Sequence, residues 1–235
     1  MKLFAIGDIH GHTTALSALL SVLPLEPSDR LVFLGDYVDK GPDVRGTLDL
    51  LCDLAASRPN TVFLRGNHDQ MLIDAHRTED GFAIWETLAG NHPLLSYGSD
   101  STREAMLSIP PRHWEFLEHR CVNFHETEGF IFVHAGIRPD LSPEQEDPER
   151  LQWMSLSMAL PHASGRTVIC GHTRSDSGRI VDLGHTLCLD TGISKDGWLT
   201  ALETASGAFW QADPTGTLRQ GTHTGPGLQS PRIIS

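Results

Sequence analysis

The chain lacks several features that mark particular classes of protein. Its four cysteines form no C-x-x-C pair, and we expect them to be buried, reduced thiols. Basic residues are also scarce, because 18 Lys and Arg stand against 30 Asp and Glu, which gives a net charge of −12. A nucleic-acid binder needs a basic surface, so we expect no nucleic-acid partner.

Long apolar runs are missing as well. The first apolar run, residues 3–6, breaks at Gly7 and Asp8 and is too short for the core of a signal peptide. No other stretch approaches the length of a membrane span. We therefore expect a cytoplasmic protein with no membrane partner. Since the surface is acidic and no strong amphipathic patch stands out, a monomer is the expected state.

Five short apolar runs have the composition of buried strands, at residues 3–6, 31–34, 61–64, 130–133 and 167–170. Apolar residues at helical spacing follow the first two runs, so we predict an α/β fold with parallel strands and helical crossovers. Residues 76–118 are predicted to be a helical excursion within a single domain over 1–211. Residues 212–235, rich in Gly, Thr, Pro and Ser, are predicted to be a flexible tail.

Each of the five runs is followed directly by His, Asp or Asn, usually beside a glycine. In chain order these residues are Asp8 and His10, Asp36, Asn67, His134, and His172. Functional groups gather at the carboxyl ends of the strands in open α/β sheets, so we expect these side chains to meet. Any one of them alone is explained equally well as a turn residue. Their recurrence after all five runs favours a functional site.

The ligand chemistry of this set indicates a pair of metal ions. It offers carboxylates, imidazoles and an amide oxygen but no thiolate, which suits Mn, Fe, Zn, Co, Ni or Mg better than a structural zinc site. Six protein ligands are too many for one catalytic ion that keeps open positions, and they suit two ions that share a carboxylate. Two divalent cations also make a site locally positive, so the acidic chain does not exclude a phosphate substrate.

The motifs G-D-x-H-G, G-D-x-V-D-x-G, G-N-H-D, H-A-G and G-H-T occur in this order. Together they resemble those of the calcineurin-like metallophosphoesterases, and within them the phosphoprotein phosphatase group. The small phage and bacterial serine/threonine protein phosphatases are the most similar, because they share residues 65–71 and 189–192. The resemblance spans roughly residues 2–203. It implies two central mixed β-sheets flanked by helices.

The resemblance assigns the six candidate ligands by position. Asp8 and His10 would bind the first ion, Asp36 would bridge both ions, and Asn67, His134 and His172 would hold the second. Manganese is the expected ion at both positions, with Fe, Zn, Co, Ni or Mg as alternatives.

The resemblance also implies a catalytic pair. His68 matches the general acid of the family, and Asp39 matches the carboxylate that orients its ring. A hydroxide held between the two ions would attack phosphorus in line. His68 would then protonate the leaving alkoxide, and no covalent intermediate would form.

The expected phosphate-binding residues depart from the family pattern. Arg65 matches a phosphate-binding arginine, but Lys40 and Ser155 stand where the family usually has arginines. Lysine keeps the positive charge but cannot form the bidentate hydrogen bonds of a guanidinium. Arg138 and Arg174, which follow two of the metal-binding motifs, are candidates to compensate.

These residues predict a metal-dependent phosphomonoester hydrolase acting on a phosphorylated protein or a small phosphorylated molecule. A protein serine/threonine phosphatase is the leading hypothesis, and a symmetrical diadenosine-tetraphosphate hydrolase is the main alternative. The second family typically carries a longer insertion than the segment between His134 and His172, which favours the first. A cyclic-nucleotide phosphodiesterase fits the motifs less well. A metal-binding module without turnover would have no need of His68.

Overall fold

The computed structural model describes residues 1–89, 94–98 and 102–228. Its strands β1 to β11 are, in chain order, Leu3–Ile6, Arg30–Phe33, Val62–Phe63, Phe124–Glu126, Phe130–Val133, Thr167–Cys170, Val181–Asp182, Thr186–Cys188, Leu199–Glu203, Ala208–Ala212 and Leu218–Thr222. Helices α1 to α6 are Thr13–Val22, Val44–Ser57, Asn67–Arg77, Glu79–Leu88, Pro111–Glu115 and Pro148–Trp153. A π-helical turn, Phe116–Arg120, follows α5 directly.

The strands form two mixed sheets, as the resemblance implies. The six-stranded sheet has the order β11-β10-β9-β1-β2-β3, in which β1, β2 and β3 are parallel and β9 runs antiparallel to β1. The five-stranded sheet has the order β4-β5-β6-β8-β7, with β5, β6 and β8 parallel. The first three apolar runs therefore belong to one sheet and the last two to the other.

The two sheets pack face to face because their parallel strands are apolar on both faces. Ala5 and Val32 of the first sheet are fully buried in one cluster with Phe132 and Ile169 of the second. Side chains on the opposite face of the first sheet, such as Phe4, pack with the apolar faces of α1 and α2. This layering covers both faces of each parallel strand and leaves the carboxyl ends of the strands as the open rim.

The described part of residues 76–118 consists of helices and helical turns. Trp85 of α4 and Phe116 of the π-helical turn are buried in the core on the helical side of the first sheet. Residues 90–93 and 99–101 of this predicted excursion lie outside the described residues.

Part of the segment predicted to be a flexible tail is instead a strand. β11 pairs antiparallel with β10 along its whole length, from Ala208 opposite Thr222 to Ala212 opposite Leu218. Arg219 fastens this edge, since its guanidinium lies 3.9 Å from the centre of the Trp198 ring. The polar composition misled the prediction because an exposed edge strand is held by backbone hydrogen bonds rather than by buried side chains. Residues 229–235 lie outside the described residues.

The cysteines and the membrane prediction can be checked directly. All four cysteines are free, and Cys121, Cys170 and Cys188 are buried as expected, whereas Cys52 is half-buried. No helix within the described ranges is long and apolar enough to cross a membrane.

Candidate metal centre and active site

The loops at the open rim share an unusual backbone conformation. Five of their residues that are not glycine have positive φ angles, namely His10 (46°), Asp36 (52°), Asp39 (66°), Lys40 (64°) and His172 (64°). Such a conformation costs on the order of 1–3 kcal/mol for a residue with a side chain and persists where the surrounding structure enforces it. Strain of this kind concentrates at functional sites, and these five residues all belong to predicted motifs.

The first group of candidate ligands comprises Asp8, His10 and Asp36. One ligand atom from each lies within 4.8 Å of the others. The His10 ring donates from Nδ1 to the Val38 carbonyl at 2.9 Å, so its Nε2 is the nitrogen that faces the Asp36 carboxylate, at 3.4 Å. A backbone acceptor of this kind fixes the tautomer and the orientation of a ligating imidazole.

The second group comprises Asp36, His134 and His172, which also lie within 4.8 Å of one another. The His134 ring donates from Nδ1 to the Leu34 carbonyl at 2.7 Å, which ties the two sheets together at the rim. The Asn67 amide oxygen lies 3.0 Å from Nε2 of His134 and 2.9 Å from Nδ1 of His172. Asp36 is therefore common to both groups, as a bridging carboxylate must be.

The two carboxylates of the cluster, Asp8 and Asp36, lie against the backbone of glycine residues. A Cβ atom on Gly171 would come 2.0 Å from Oδ1 of Asp8, and one on Gly66 would come 2.1 Å from Oδ1 of Asp36. Glycine is thus required at both positions for the carboxylates to reach the cluster. The donor set and this close packing fit a pair of divalent cations.

Asp69 holds the loop that carries Asp36 in place. Its buried side chain accepts three backbone hydrogen bonds, each 2.9 Å long, from the N–H groups of Asp36, Tyr37 and Gly66. These bonds join the loop after β2 to the loop after β3 and fix the start of α3. Burial, together with the nearby Asp36, raises the pKa of Asp69 to about 7.

Burial also prepares the imidazoles to act as metal ligands. It lowers the pKa of His10 and His134, and that of His172 to about 4, so all three rings are neutral near pH 7. A neutral imidazole has the free lone pair that a metal ion needs. Burial and neighbouring carboxylates raise the pKa of Asp8 well above its usual range, and a cation in the cluster would relieve that repulsion.

A second hydrogen-bonded unit, formed by His68 and Asp39, lies beside the cluster. Nδ1 of His68 is 2.8 Å from Oδ2 of Asp39, and the backbone N–H of His68 donates to Oδ1 of Asp36 at 3.0 Å. Burial alone would lower the pKa of His68, but the Asp36 and Asp39 carboxylates outweigh it and raise that pKa. The indole of Trp85 donates to the other Asp39 oxygen at 3.0 Å, a contact that no local sequence signal indicates.

The sequence model of the calcineurin-like phosphoesterases matches residues 1–196. The chain belongs to the calcineurin-like phosphoesterase family. It is a hydrolase that depends on divalent metal ions, and the two groups that share Asp36 are the residues placed to hold them.

Relatives of this phosphoesterase include two kinds of tetraphosphatase. The asymmetrical bis(5'-nucleosyl)-tetraphosphatase PrpE of Geobacillus thermodenitrificans is 26% identical, with 86% of this chain and 90% of the relative covered. The symmetrical bis(5'-nucleosyl)-tetraphosphatase of Methylobacillus flagellatus is 30% identical, but the match covers 62% of this chain and 47% of the relative. A solved structure described as a putative diadenosine tetraphosphatase superposes with a TM-score of 0.64 at 21% identity, covering 95% of each chain.

Not all of the basic side chains predicted to bind phosphate lie at the metal cluster. Nζ of Lys40 is 3.4 Å from Nε2 of His10, so its charge faces the metal cluster. Arg174 is exposed and its Nε donates to Asp176 at 2.9 Å, which leaves the rest of its guanidinium at the surface.

Arg65 and Arg138, predicted to bind phosphate, have structural partners instead. The Arg65 guanidinium donates to the backbone carbonyls of Leu117 at 2.9 Å and Glu118 at 2.8 Å, and it thereby holds the end of the π-helical turn. Arg138 forms an ion pair with the buried carboxylate of Glu146 at 2.8 Å. Arg138 was predicted from its proximity to a motif, which does not determine where a long side chain points, and Arg65 was predicted from the resemblance. Phosphate binding by either residue stays a prediction.

The segment that carries Ser155 offers an aromatic side chain in place of the missing arginine. The Ser155 hydroxyl lies 2.9 Å from that of Ser157 and starts a 3₁₀ turn. Trp153, two residues earlier, is 42% exposed, and its ring centre is 6.0 Å from that of His172. No role for Trp153 is predicted from the sequence, because its position beside His172 depends on the tertiary fold.

We expect Gly171→Ala to weaken metal binding, because the added Cβ would displace the Asp8 carboxylate. The loss should be about tenfold or more in affinity, measured by metal titration followed by elemental analysis. Gly129→Ala is the matched control, since a Cβ on Gly129 meets nothing within 4 Å. Equal metal affinity in the two variants, with both folded, would show that Asp8 is not a ligand.

Proposed function

We propose that this phosphoesterase hydrolyses dinucleoside polyphosphates. The observation that carries the proposal is the match, almost from end to end, to a relative named as an asymmetrical bis(5'-nucleosyl)-tetraphosphatase. The proposal reverses the ranking reached from the sequence, in which a protein serine/threonine phosphatase came first. The short segment between His134 and His172 counts against a symmetrical hydrolase only. It raises no objection to an asymmetrical one of similar length to this chain.

We assign the metal ligands as the resemblance implies. Asp8 and His10 hold the first ion, Asp36 is shared, and Asn67, His134 and His172 hold the second. The assignment is supported by the two groups of side chains that meet at Asp36. When bound, the ions lower the pKa of a water molecule and neutralise charge that develops on the phosphate oxygens. Manganese is our expected metal for both positions.

We assign His68 as the general acid and Asp39 as the residue that positions it. The 2.8 Å contact between them stabilises the imidazolium, and Trp85 holds the second oxygen of Asp39 so that the carboxylate cannot turn away. His68 can then deliver its proton from Nε2 to the oxygen that leaves phosphorus. This pair also counts against a metal-binding module without turnover, because binding alone requires no proton donor.

Lys40 is our candidate for the phosphate contact expected of an arginine in this family. Its ammonium group faces the cluster from the side of His10. A lysine acts on phosphate as a point charge rather than through two parallel hydrogen bonds. It therefore tolerates different orientations of a phosphate chain, which suits a substrate with several linked phosphates better than one with a single phosphoryl group.

The substrate class is tested by comparing three compounds with the manganese-loaded enzyme. We expect kcat/KM for diadenosine tetraphosphate to exceed that for phosphoserine peptides by about tenfold or more. p-Nitrophenyl phosphate reports on general phosphoesterase activity, and EDTA should abolish all three activities. A preference for the phosphopeptides would return the protein-phosphatase hypothesis to first place. Absence of metal-dependent turnover by folded, metal-loaded protein would refute the proposal altogether.

The role of the acid pair is tested by the pH dependence of kcat. His68 must be protonated to act, so activity on diadenosine tetraphosphate should fall as the pH rises through the raised pKa of His68. In Asp39→Asn the carboxylate that stabilises the imidazolium is gone, so this falling limb should move to lower pH. His68→Asn should reduce kcat by about 10² to 10⁴ and leave the metal content intact. The assignment is contradicted if the pH at which kcat falls is the same in Asp39→Asn as in the wild type, or if His68→Asn loses metal.

A further inference from the structure

A cleft of about 710 Å³ opens beside the metal centre and has no part in the chemistry described above. Asn67, a candidate metal ligand, lines it together with Trp153. The cleft therefore begins at the second group of ligands, on the side of His172. It is large enough to hold a nucleoside-sized group in direct continuity with a phosphate at the metals.

Two exposed apolar side chains line this cleft. Trp153 is 42% exposed and Ile84 of α4 is 57% exposed, although both could be covered by a ligand that enters between α4 and α6. Exposed apolar groups within a concave surface mark binding sites more often than isolated ones elsewhere. An indole offers a flat face on which a nucleobase can stack, which strengthens binding by about tenfold or more per base.

The polar groups in the cleft suit the edge of a base. The Gln152 amide donates to the Asn123 amide oxygen at 3.4 Å, and both residues line the cleft. Within the described residues, the Asn123 amide nitrogen and the Gln152 amide oxygen have no other hydrogen-bond partner, which leaves a donor and an acceptor for a ligand. Amide side chains read the donor and acceptor pattern on the edge of a purine in the same way.

The charge of the cleft indicates which part of a substrate enters it. Asp74, Asp147 and Glu149 line it, and among its described lining residues the only cation is Arg65, whose guanidinium is bound to backbone carbonyls. Carboxylates repel a phosphate chain and accept hydrogen bonds from ribose hydroxyls. Lys40, by contrast, faces the cluster from the side of His10. The uncharged end of a substrate therefore belongs in the cleft and its polyphosphate on the side of Lys40.

We propose that the Trp153 cleft binds one purine nucleoside of a dinucleoside polyphosphate and thereby selects the α-phosphorus for attack. The inference rests on the proposed function and deepens it. The centre of the Trp153 ring lies 6.0 Å from that of the His172 ring, so a base stacked on the indole lies beside the candidate metal ligands, and the α-phosphate is the phosphate nearest to that base. A base stacked on Trp153 therefore places its own α-phosphate at the metals.

The resulting reaction is balanced with one water molecule. The water oxygen bonds to the α-phosphorus and the bond from that phosphorus to the α,β-bridging oxygen breaks. The bridging oxygen keeps the electron pair and takes a proton from His68. A proton released by the attacking water restores the protonated state of His68. Diadenosine tetraphosphate then yields AMP, which carries the water oxygen, and ATP.

The base-stacking role is tested with Trp153→Ala, Trp153→Phe and the control Met158→Ala. Met158 is 57% exposed and lies outside the cleft. We expect the ratio of kcat/KM for diadenosine tetraphosphate to that for p-nitrophenyl phosphate to fall about tenfold or more in Trp153→Ala. Trp153→Phe should retain most of the ratio, and Met158→Ala should leave it unchanged. An unaltered ratio in Trp153→Ala, with both activities falling together, would mean that Trp153 only supports His172, and it overturns the proposal.

The site of attack is tested by hydrolysis in water enriched in ¹⁸O. We expect the products AMP and ATP with the label in AMP, whereas label in ATP or formation of two ADP molecules overturns the proposal. If the wild type acts on p-nitrophenyl phosphate and not on diadenosine tetraphosphate, the proposed substrate is wrong. Inhibition by AMP then tests separately whether the cleft binds a nucleoside. AMP should then inhibit the wild type more strongly than Trp153→Ala, and equal inhibition overturns the nucleoside site.

Discussion

Three backbone N–H groups converge on one buried carboxylate, and the geometry of the whole site depends on that convergence. Asp69 binds the loop after β2 through Asp36 and Tyr37 and the loop after β3 through Gly66. Without this acceptor, three buried N–H groups would lack partners, at a cost of about 1–3 kcal/mol each. The bonds offset the strain of the positive φ at Asp36 and aim its side chain into the cluster.

The position of Asp36 in turn organises the chemistry around it. The two sheets bring one group of ligands each to its carboxylate, and the hydrogen bond from His134 to the Leu34 carbonyl holds the sheets together at that point. The same carboxylate accepts a hydrogen bond from the backbone N–H of His68, which places this residue next to the cluster. Lys40 faces the cluster from the side of His10, and a cleft with carboxylates and an indole lies on the side of Asn67. This polarity suggests a substrate with a charged chain and an uncharged end.

The sequence was most informative where function follows directly from a strand. Each candidate ligand follows a buried run closely in the chain, so the end of the strand determines its position. Trp85 and Trp153 gave no such signal, because their contacts with Asp39 and His172 join distant segments. The ion pair of Arg138 was not foreseen, because a flexible side chain takes its direction from its partner, here the buried Glu146. The strand within the predicted tail was missed because backbone pairing leaves little trace in composition.

We propose that Asp36 is shared between two metal ions, and electron paramagnetic resonance of the manganese-loaded protein tests this sharing. Ions that share a carboxylate lie about 3.5–4 Å apart, close enough for their spins to couple. We expect two manganese ions per chain and the multiline spectrum of an exchange-coupled pair, which should disappear in Asp36→Ala. A single ion per chain, or two ions that give the spectrum of isolated Mn²⁺, would show that Asp36 is not shared between two ions.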